Sequence, residues 1–204
     1  MNTDPNQHLW WLASRSSGIV ALVMLTATVM LGLMLGGKIS QRLPKGLARL
    51  LGAEPRLISK AHEQLSVAAL IAIGVHGVTL LGDTFIHPTL GQIAIPFTIG
   101  YRPLATGIGI VAGYIAAALG LSFYARKRIG VQTWRKLHRF TIVAYVMSVI
   151  HMITAGTDGT SPWLRTPVLA SAALIAMLFA ARVASARRGP ASARAARVER
   201  AATA

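Results

Sequence analysis

Five stretches of this chain contain no Asp, Glu, Lys or Arg and are each close to membrane length: Ser16–Gly37, Gln64–Gly82, Pro103–Ala125, Phe140–Thr157 and Thr166–Ala181. A helix needs about 20 apolar residues to cross a hydrocarbon core roughly 30 Å thick. The first four runs hold 18 to 23 residues and the fifth holds 16. Arg165 and Arg182 flank the fifth, and long basic side chains can snorkel to the headgroups from such positions. Charged residues make up only 13% of the chain, about half of what a soluble domain carries. The expected fold is an all-α integral membrane bundle of about five transmembrane helices. The first run lacks a basic leader and is longer than a signal-peptide core, so it is read as a retained helix. There is no cysteine, which removes disulfides and Cys-ligated zinc or iron–sulfur clusters.

The basic residues are segregated as sharply as the apolar ones. Lys38–Lys60, Arg126–Arg139 and Arg182–Arg200 hold six Lys/Arg each, and the remaining three of the 21 are Arg15, Arg102 and Arg165. With five crossings, the three rich segments fall on one side. The positive-inside rule then places the amino terminus outside, the carboxyl terminus in the cytoplasm and the chain in the cytoplasmic membrane of the cell. The net charge of +15 therefore has anionic lipid headgroups as its partner, not nucleic acid.

The organisation that follows has three parts. Residues 1–17 form a short outer segment with Trp10 and Trp11 as interfacial anchors. Residues 18–183 form the membrane domain. Residues 184–204, "ARRGPASARAARVERAATA" with its flanks, form a disordered basic cytoplasmic tail. The loop 38–60 interleaves Lys/Arg with Leu and Ile, a pattern suited to lying along the membrane surface. Pro55 suits the start of the second helix. The outer loop 83–102 is apolar enough to pack over the bundle. Glycines 107, 109, 113 and 120 in the third helix are read as sites of close helix packing.

Six histidines are present. His8 and His87 lie in outer segments and are read as exposed polar residues. The other four fall in the second helix, His62 and His76, and in the fourth, His138 and His151. Both helices run from inside to outside, so His62 and His138 share the inner depth and His76 and His151 the outer. The two levels are about 20 Å apart at about 1.5 Å per residue. Ionisable side chains at membrane depth face partners or functional sites. One imidazole from each of two helices is the donor set for the two axial positions of a haem iron. Zinc suits the layers less, since each offers only two nitrogens and tetrahedral sites need more. Phase supports half of the arrangement. A step of fourteen residues turns about 1400°, which keeps His62 and His76 on one face; thirteen residues leave His138 and His151 roughly 140° apart. The fourth helix must tighten locally toward 3₁₀ geometry, or the sites must lie on different flanks of it.

The spacing His62-x13-His76 with His138-x12-His151, together with "WRKLHRFTIVAYVMSVIHMI" around the second pair, resembles the ferric reductase-like transmembrane domain family over about residues 18–183. That family includes ferric reductases, NADPH oxidases and the haem-binding membrane subunit of the bacterial methionine sulfoxide repair system. The family commonly has six membrane helices, against five runs here. The resemblance implies two b-type haems, one on His62 and His138 and one on His76 and His151. It implies a transmembrane cytochrome, an oxidoreductase-type component carrying electrons from a cytoplasmic or quinol donor to an acceptor outside. Lys60, Arg135, Lys136 and Arg139 lie at the inner level and are candidate partners for haem propionates. Tyr145, between the levels, is read as core packing. Some twenty residues follow the fifth run, too few for a flavin or nicotinamide domain, so the expected donor is a separate flavin reductase or a membrane quinol. One alternative is a haem-binding subunit of a separate extracytoplasmic reductase. A more distant one is a non-haem scaffold or permease.

Overall fold

The computed structural model describes residues 5–36 and 55–202, with side chains for 8–35 and 55–184. The molecule is all-helical, without strands among the described residues. The elements are α1 (Pro5–Gly36), α2 (Pro55–Thr79) prolonged by a 3₁₀ turn at Leu80–Gly82, and α3 (Leu90–Ala94). They are followed by α4 (Pro103–Ile129), α5 (Val131–His138), α6 (Thr141–Ala155) and α7 (Pro162–Ala202). Five helical stretches are long and apolar enough to cross a membrane: His8–Leu35, Pro55–Gly82, Pro103–Ile129, Val131–Ala155 and Pro162–Ala184. The chain is a multi-pass membrane protein.

Four of these stretches belong to helices that open on a proline: Pro5, Pro55, Pro103 and Pro162. The first-turn N–H groups have no intrahelical partner, so proline loses nothing there and its fixed φ starts the helix. The remaining stretch, α5 with α6, opens after Gly130, whose φ of 90° only glycine adopts without strain.

Two antiparallel hairpins make up most of the bundle. α1 packs along α2, and α4 packs along α6. The helices α2, which carries His62 and His76, and α6, which carries His151, are not packed closely on one another; each leans on its own partner. α7 closes the far side of α1 and α6. There Leu22, Leu25, Val29, Leu33, Tyr145, Val149, Leu164, Val168 and Ile175 form the buried apolar core. Without a hydrophobic difference between lipid and protein, such packing rests on close van der Waals fit. Small residues on α4 provide it: Gly113 faces Ile73 of α2, and Gly120 faces Leu70.

The end of the bundle that carries the 83–102 connection is tied down by that loop. Asp83 is 4% exposed and accepts the backbone N–H groups of Phe85 (2.8 Å) and Ile86 (3.0 Å). Thr89 and Gln92 make a capping box at α3, satisfying two donors reciprocally. Arg102 donates to the Thr154 carbonyl (2.6 Å) and the Tyr101 hydroxyl to that of Ala155 (3.3 Å). A cation and a hydroxyl thus meet the orphan carbonyls at the carboxyl end of α6. Phe97, at φ 68°, fills the space over Gly107. The expectation that this apolar loop packs over the bundle is met.

Three expectations need correction. Residues 5–17 are no separate outer segment, because α1 runs unbroken from Pro5. Beyond the fifth apolar run, α7 continues helical to Ala202 where disorder is expected; the segment is rich in Ala and Arg, both strong helix formers. The glycines of α4 do not all serve helix packing, since Gly107 seats Phe97 and Gly109 seats an imidazole. The surface-lying loop expected over 38–60 lies largely outside the described residues.

Arg15 and Asp158 form the ion pair found among the described residues, Nε to Oδ2 at 2.5 Å and Nη2 to Oδ1 at 2.7 Å. It joins α1 to the α6–α7 connection, and the Arg15 guanidinium also lies over Trp11. Two parallel N–H···O bonds give this pair geometric specificity. Arg15→Ala and Asp158→Ala should each lower stability by about 1–2 kcal/mol, and the double variant should fall short of their sum by about 1 kcal/mol. Reversible unfolding in mixed detergent micelles measures this, and additive losses would show that the two residues act separately.

Candidate functional site

Four imidazoles stand within the bundle as two pairs. The rings of His62 and His138 have centroids 6.1 Å apart with planes crossed at 84°. Those of His76 and His151 are 6.3 Å apart and crossed at 73°. The pairs that the topology predicts are the pairs that form. His8 and His87 take no part; both are exposed, and His8 rests beside Trp11.

Three of the four rings are held in the same manner. His76 Nδ1 donates to the Ser14 carbonyl at 2.8 Å, His62 Nδ1 to that of Thr28 at 2.9 Å and His151 Nδ1 to that of Ala105 at 2.9 Å. A carbonyl only accepts, so the proton sits on Nδ1 and the lone pair is left on Nε2. No protein group among the described residues hydrogen-bonds any of the four Nε2 atoms.

The carbonyls are reachable because of what stands four residues on. Ser14 precedes Gly18, Thr28 precedes Gly32 and Ala105 precedes Gly109 by four. On a helix, a side chain leans toward the amino terminus and covers the turn before its own Cα. A glycine there uncovers the carbonyl one turn back. A methyl on Gly18 would lie 2.9 Å from His76 Nδ1, one on Gly32 would lie 3.1 Å from His62 Cε1, and one on Gly109 would strike His151 Nδ1. Gly18 and Gly32 are fourteen residues apart on α1, the step that separates His62 from His76 on the antiparallel α2. None of these glycine seats on α1, nor the carbonyls they uncover, is among the sequence-predicted site residues. The matching step of fourteen is the signal that carries them.

His138 is the exception. Its Nδ1 is buried and has no partner; the Leu119 carbonyl faces it without completing a hydrogen bond. The ring stacks on Trp134 at 4.9 Å and 28°.

The phase difficulty of the second pair is met by tightening. Between α5 and α6 the backbone bonds skip three residues: Arg139 N–H to Lys136 O at 3.3 Å, Phe140 to Leu137 at 2.9 Å, Ile142 to Arg139 at 3.4 Å and Val143 to Phe140 at 2.9 Å. A three-residue turn advances about 120° per residue against about 100° in an α-helix. Five of these steps, from His138 to Val143, lie between the two histidines and recover about 100° of the roughly 140° by which an ideal helix misaligns them, leaving about 40°.

These pairs can be tested against the group that such ligands suit. A metal–imidazole bond is about 2.0–2.1 Å long and the ring centre lies about 1.1 Å behind its nitrogen, so two imidazoles holding one ion from opposite sides have centroids about 6.2–6.4 Å apart. Both observed separations lie within about 0.1 Å of that range. An imidazole hydrogen-bonded directly to another would sit about 1 Å closer. Among the described residues no third His, Asp or Glu joins either pair. Each site therefore supplies two nitrogens and nothing more, which is the protein's share of a haem iron's coordination. The spacing, the Nδ1 tautomer and the gap between α2 and α6 fit haem.

Lys60, Arg135, Lys136 and Arg139 are exposed, and none is ion-paired among the described residues. Tyr145 is 2% exposed in the apolar core, with no partner for its hydroxyl. No family model, curated protein or solved structure matches the chain.

The carbonyl seats make a contrast among glycines testable. Gly109→Ala should cost about 1–3 kcal/mol by forcing His151 off the Ala105 carbonyl. Gly74→Ala, with nothing within 4 Å of its added methyl, should be neutral or stabilising by up to about 1 kcal/mol. The same micellar unfolding assay reads both, and equal losses would contradict the seating of His151 on Gly109.

Proposed function

We propose that the chain is a transmembrane b-type cytochrome whose two haems are held by His62 with His138 and by His76 with His151. The single observation that carries this reading is the separation of 6.1 and 6.3 Å within the two imidazole pairs. When bound, haem would supply reversible one-electron exchange, and a histidine pair holding its iron would keep that exchange outer-sphere.

What the chain's own residues do is orient and insulate. The Ser14, Thr28 and Ala105 carbonyls fix the tautomer of their imidazoles and raise the basicity of Nε2. The α1–α2 hairpin sets His62 and His76 about 21 Å apart, each on its own glycine seat. Lys60, Arg135, Lys136 and Arg139 are placed at the inner level to neutralise propionates. The Lys/Arg asymmetry supports an inner level at the cytoplasmic face. The reading then runs from a cytoplasmic flavoprotein or membrane quinol to an acceptor outside, in the manner of the ferric reductase-like family that the histidine spacing resembles. Electron movement toward a positive outer face releases about 2.3 kcal/mol per 100 mV of membrane potential.

Purified protein should show a reduced-minus-oxidised spectrum of b type with two haems per chain. His62→Ala or His138→Ala should remove the inner haem alone, and His76→Ala or His151→Ala the outer alone. A colourless protein, or one that keeps both haems after any of these changes, would overturn the assignment.

A further inference from the structure

Three of the four imidazoles are anchored through Nδ1 and one is not, and the reason lies on α4. By the rule that holds at Gly18, Gly32 and Gly109, the carbonyl facing His138 belongs to Leu119, and the residue four positions on is Phe123. Phe123 occupies the register position that a glycine occupies at the other three sites, where a side chain covers the carbonyl one turn back. Phe123 also meets Trp134 edge-on (5.8 Å, planes at 64°), and Trp134 in turn stacks on His138. The Arg126 guanidinium lies 3.7 Å over the Phe123 ring, which pins it in place. The outcome is a buried Nδ1 with no partner, which carries the ring's N–H whenever Nε2 binds a metal.

The element that carries His138 is also the least buried of the three that carry the four paired histidines. α5 has eight residues, none of them buried. Gly130 at φ 90° bounds it on one side and the run of three-residue turns at Arg139–Phe140 on the other. His62, His76 and His151 sit on long helices, each bonded to a carbonyl of the neighbouring one. Trp134 lies on the same short helix, so its stacking travels with His138.

Resting on the dihaem reading, we propose that His138 is the exchangeable ligand of the four, so that the inner site accepts a small neutral π-acceptor such as carbon monoxide while the outer site does not. In the exchange the His138 Nε2–iron bond breaks and an iron–carbon bond forms; no electron or proton is transferred. Two effects favour it. Without an acceptor at Nδ1 the ring is the weaker base and the weaker donor, and loss of such a partner typically costs 10–100-fold in metal affinity. A ring that leaves the site also frees its buried N–H to find water, whereas the other three would have to break a hydrogen bond. The inner site is then the point at which a diatomic gas arrests the chain.

The test uses the full-length protein in detergent, reduced with dithionite and titrated with carbon monoxide. One haem of two should give a carbon monoxide difference spectrum, and the double variant His76→Ala/His151→Ala should retain that response. Phe123→Gly uncovers the Leu119 carbonyl and should weaken carbon monoxide binding by about 10- to 100-fold. The converse change, Gly18→Ala, pushes His76 off the Ser14 carbonyl and should make the outer haem reactive as well, which keeps the test decisive if Phe123→Gly fails to fold. Reaction at neither haem, at both equally, or at the outer haem alone in the unmodified protein would overturn the proposal. So would a response that neither substitution changes. A preparation that holds no haem overturns the dihaem reading instead.

Discussion

An imidazole at membrane depth has two nitrogens to satisfy and little water to satisfy them. That constraint organises this bundle. In three of four cases one nitrogen is met by a backbone carbonyl of the adjacent helix, a carbonyl already engaged in its own helix and exposed sideways only where glycine follows one turn later. The other nitrogen has no protein partner, and each ring stands 6.1–6.3 Å from an imidazole of the opposite hairpin. Each hairpin is thus a holder: α1 grips the two rings of α2, and α4 grips the outer ring of α6. Because the holders are complete in themselves, α2 and α6 need not touch, and the space between them is available for a flat group.

The two ends of the bundle are built differently, and this follows from the loops. At the end that holds His76 and His151, Arg15–Asp158 ties α1 to the α6–α7 connection, and Tyr101 and Arg102 tie the preceding loop to the end of α6. At the end that holds His62 and His138, no ion pair is found among the described residues. α5 is short, amphipathic and unburied, and the basic side chains around it are exposed. Buried polar groups usually find partners, so the orphan His138 N–H marks where the design is relaxed.

Much of this was legible in the sequence because it rests on period and charge alone. Five uncharged runs specified five crossings, and antiparallel succession then forced His62 to the level of His138 and His76 to that of His151. The pairing needed no knowledge of side-chain direction. Other features depend on contacts that no local pattern encodes. The turn between α5 and α6 resolves a misfit that arithmetic exposed but could not locate. Arg15 and Asp158 are isolated charges 143 positions apart, with nothing in either neighbourhood to announce the other. The glycine seats lie between these cases. Gly18 and Gly32 repeat the fourteen-residue step of His62 and His76 in an antiparallel helix, a correspondence visible only once α1 and α2 are known to pack. The amino-terminal boundary was misjudged because Trp10 and Trp11 suit an interface whether or not the helix continues through them, and it does.

The central claim is that each crossed pair of imidazoles clasps one iron, and electron paramagnetic resonance of the oxidised protein tests it most directly. Axial imidazole planes crossed at 84° and 73° leave the lower d orbitals of a ferric ion nearly degenerate, which makes its low-spin signal strongly anisotropic. The account predicts two such signals and no high-spin one. A rhombic low-spin signal of the kind given by parallel imidazole planes, a high-spin signal from an iron with one histidine, or no ferric signal from either site would contradict it.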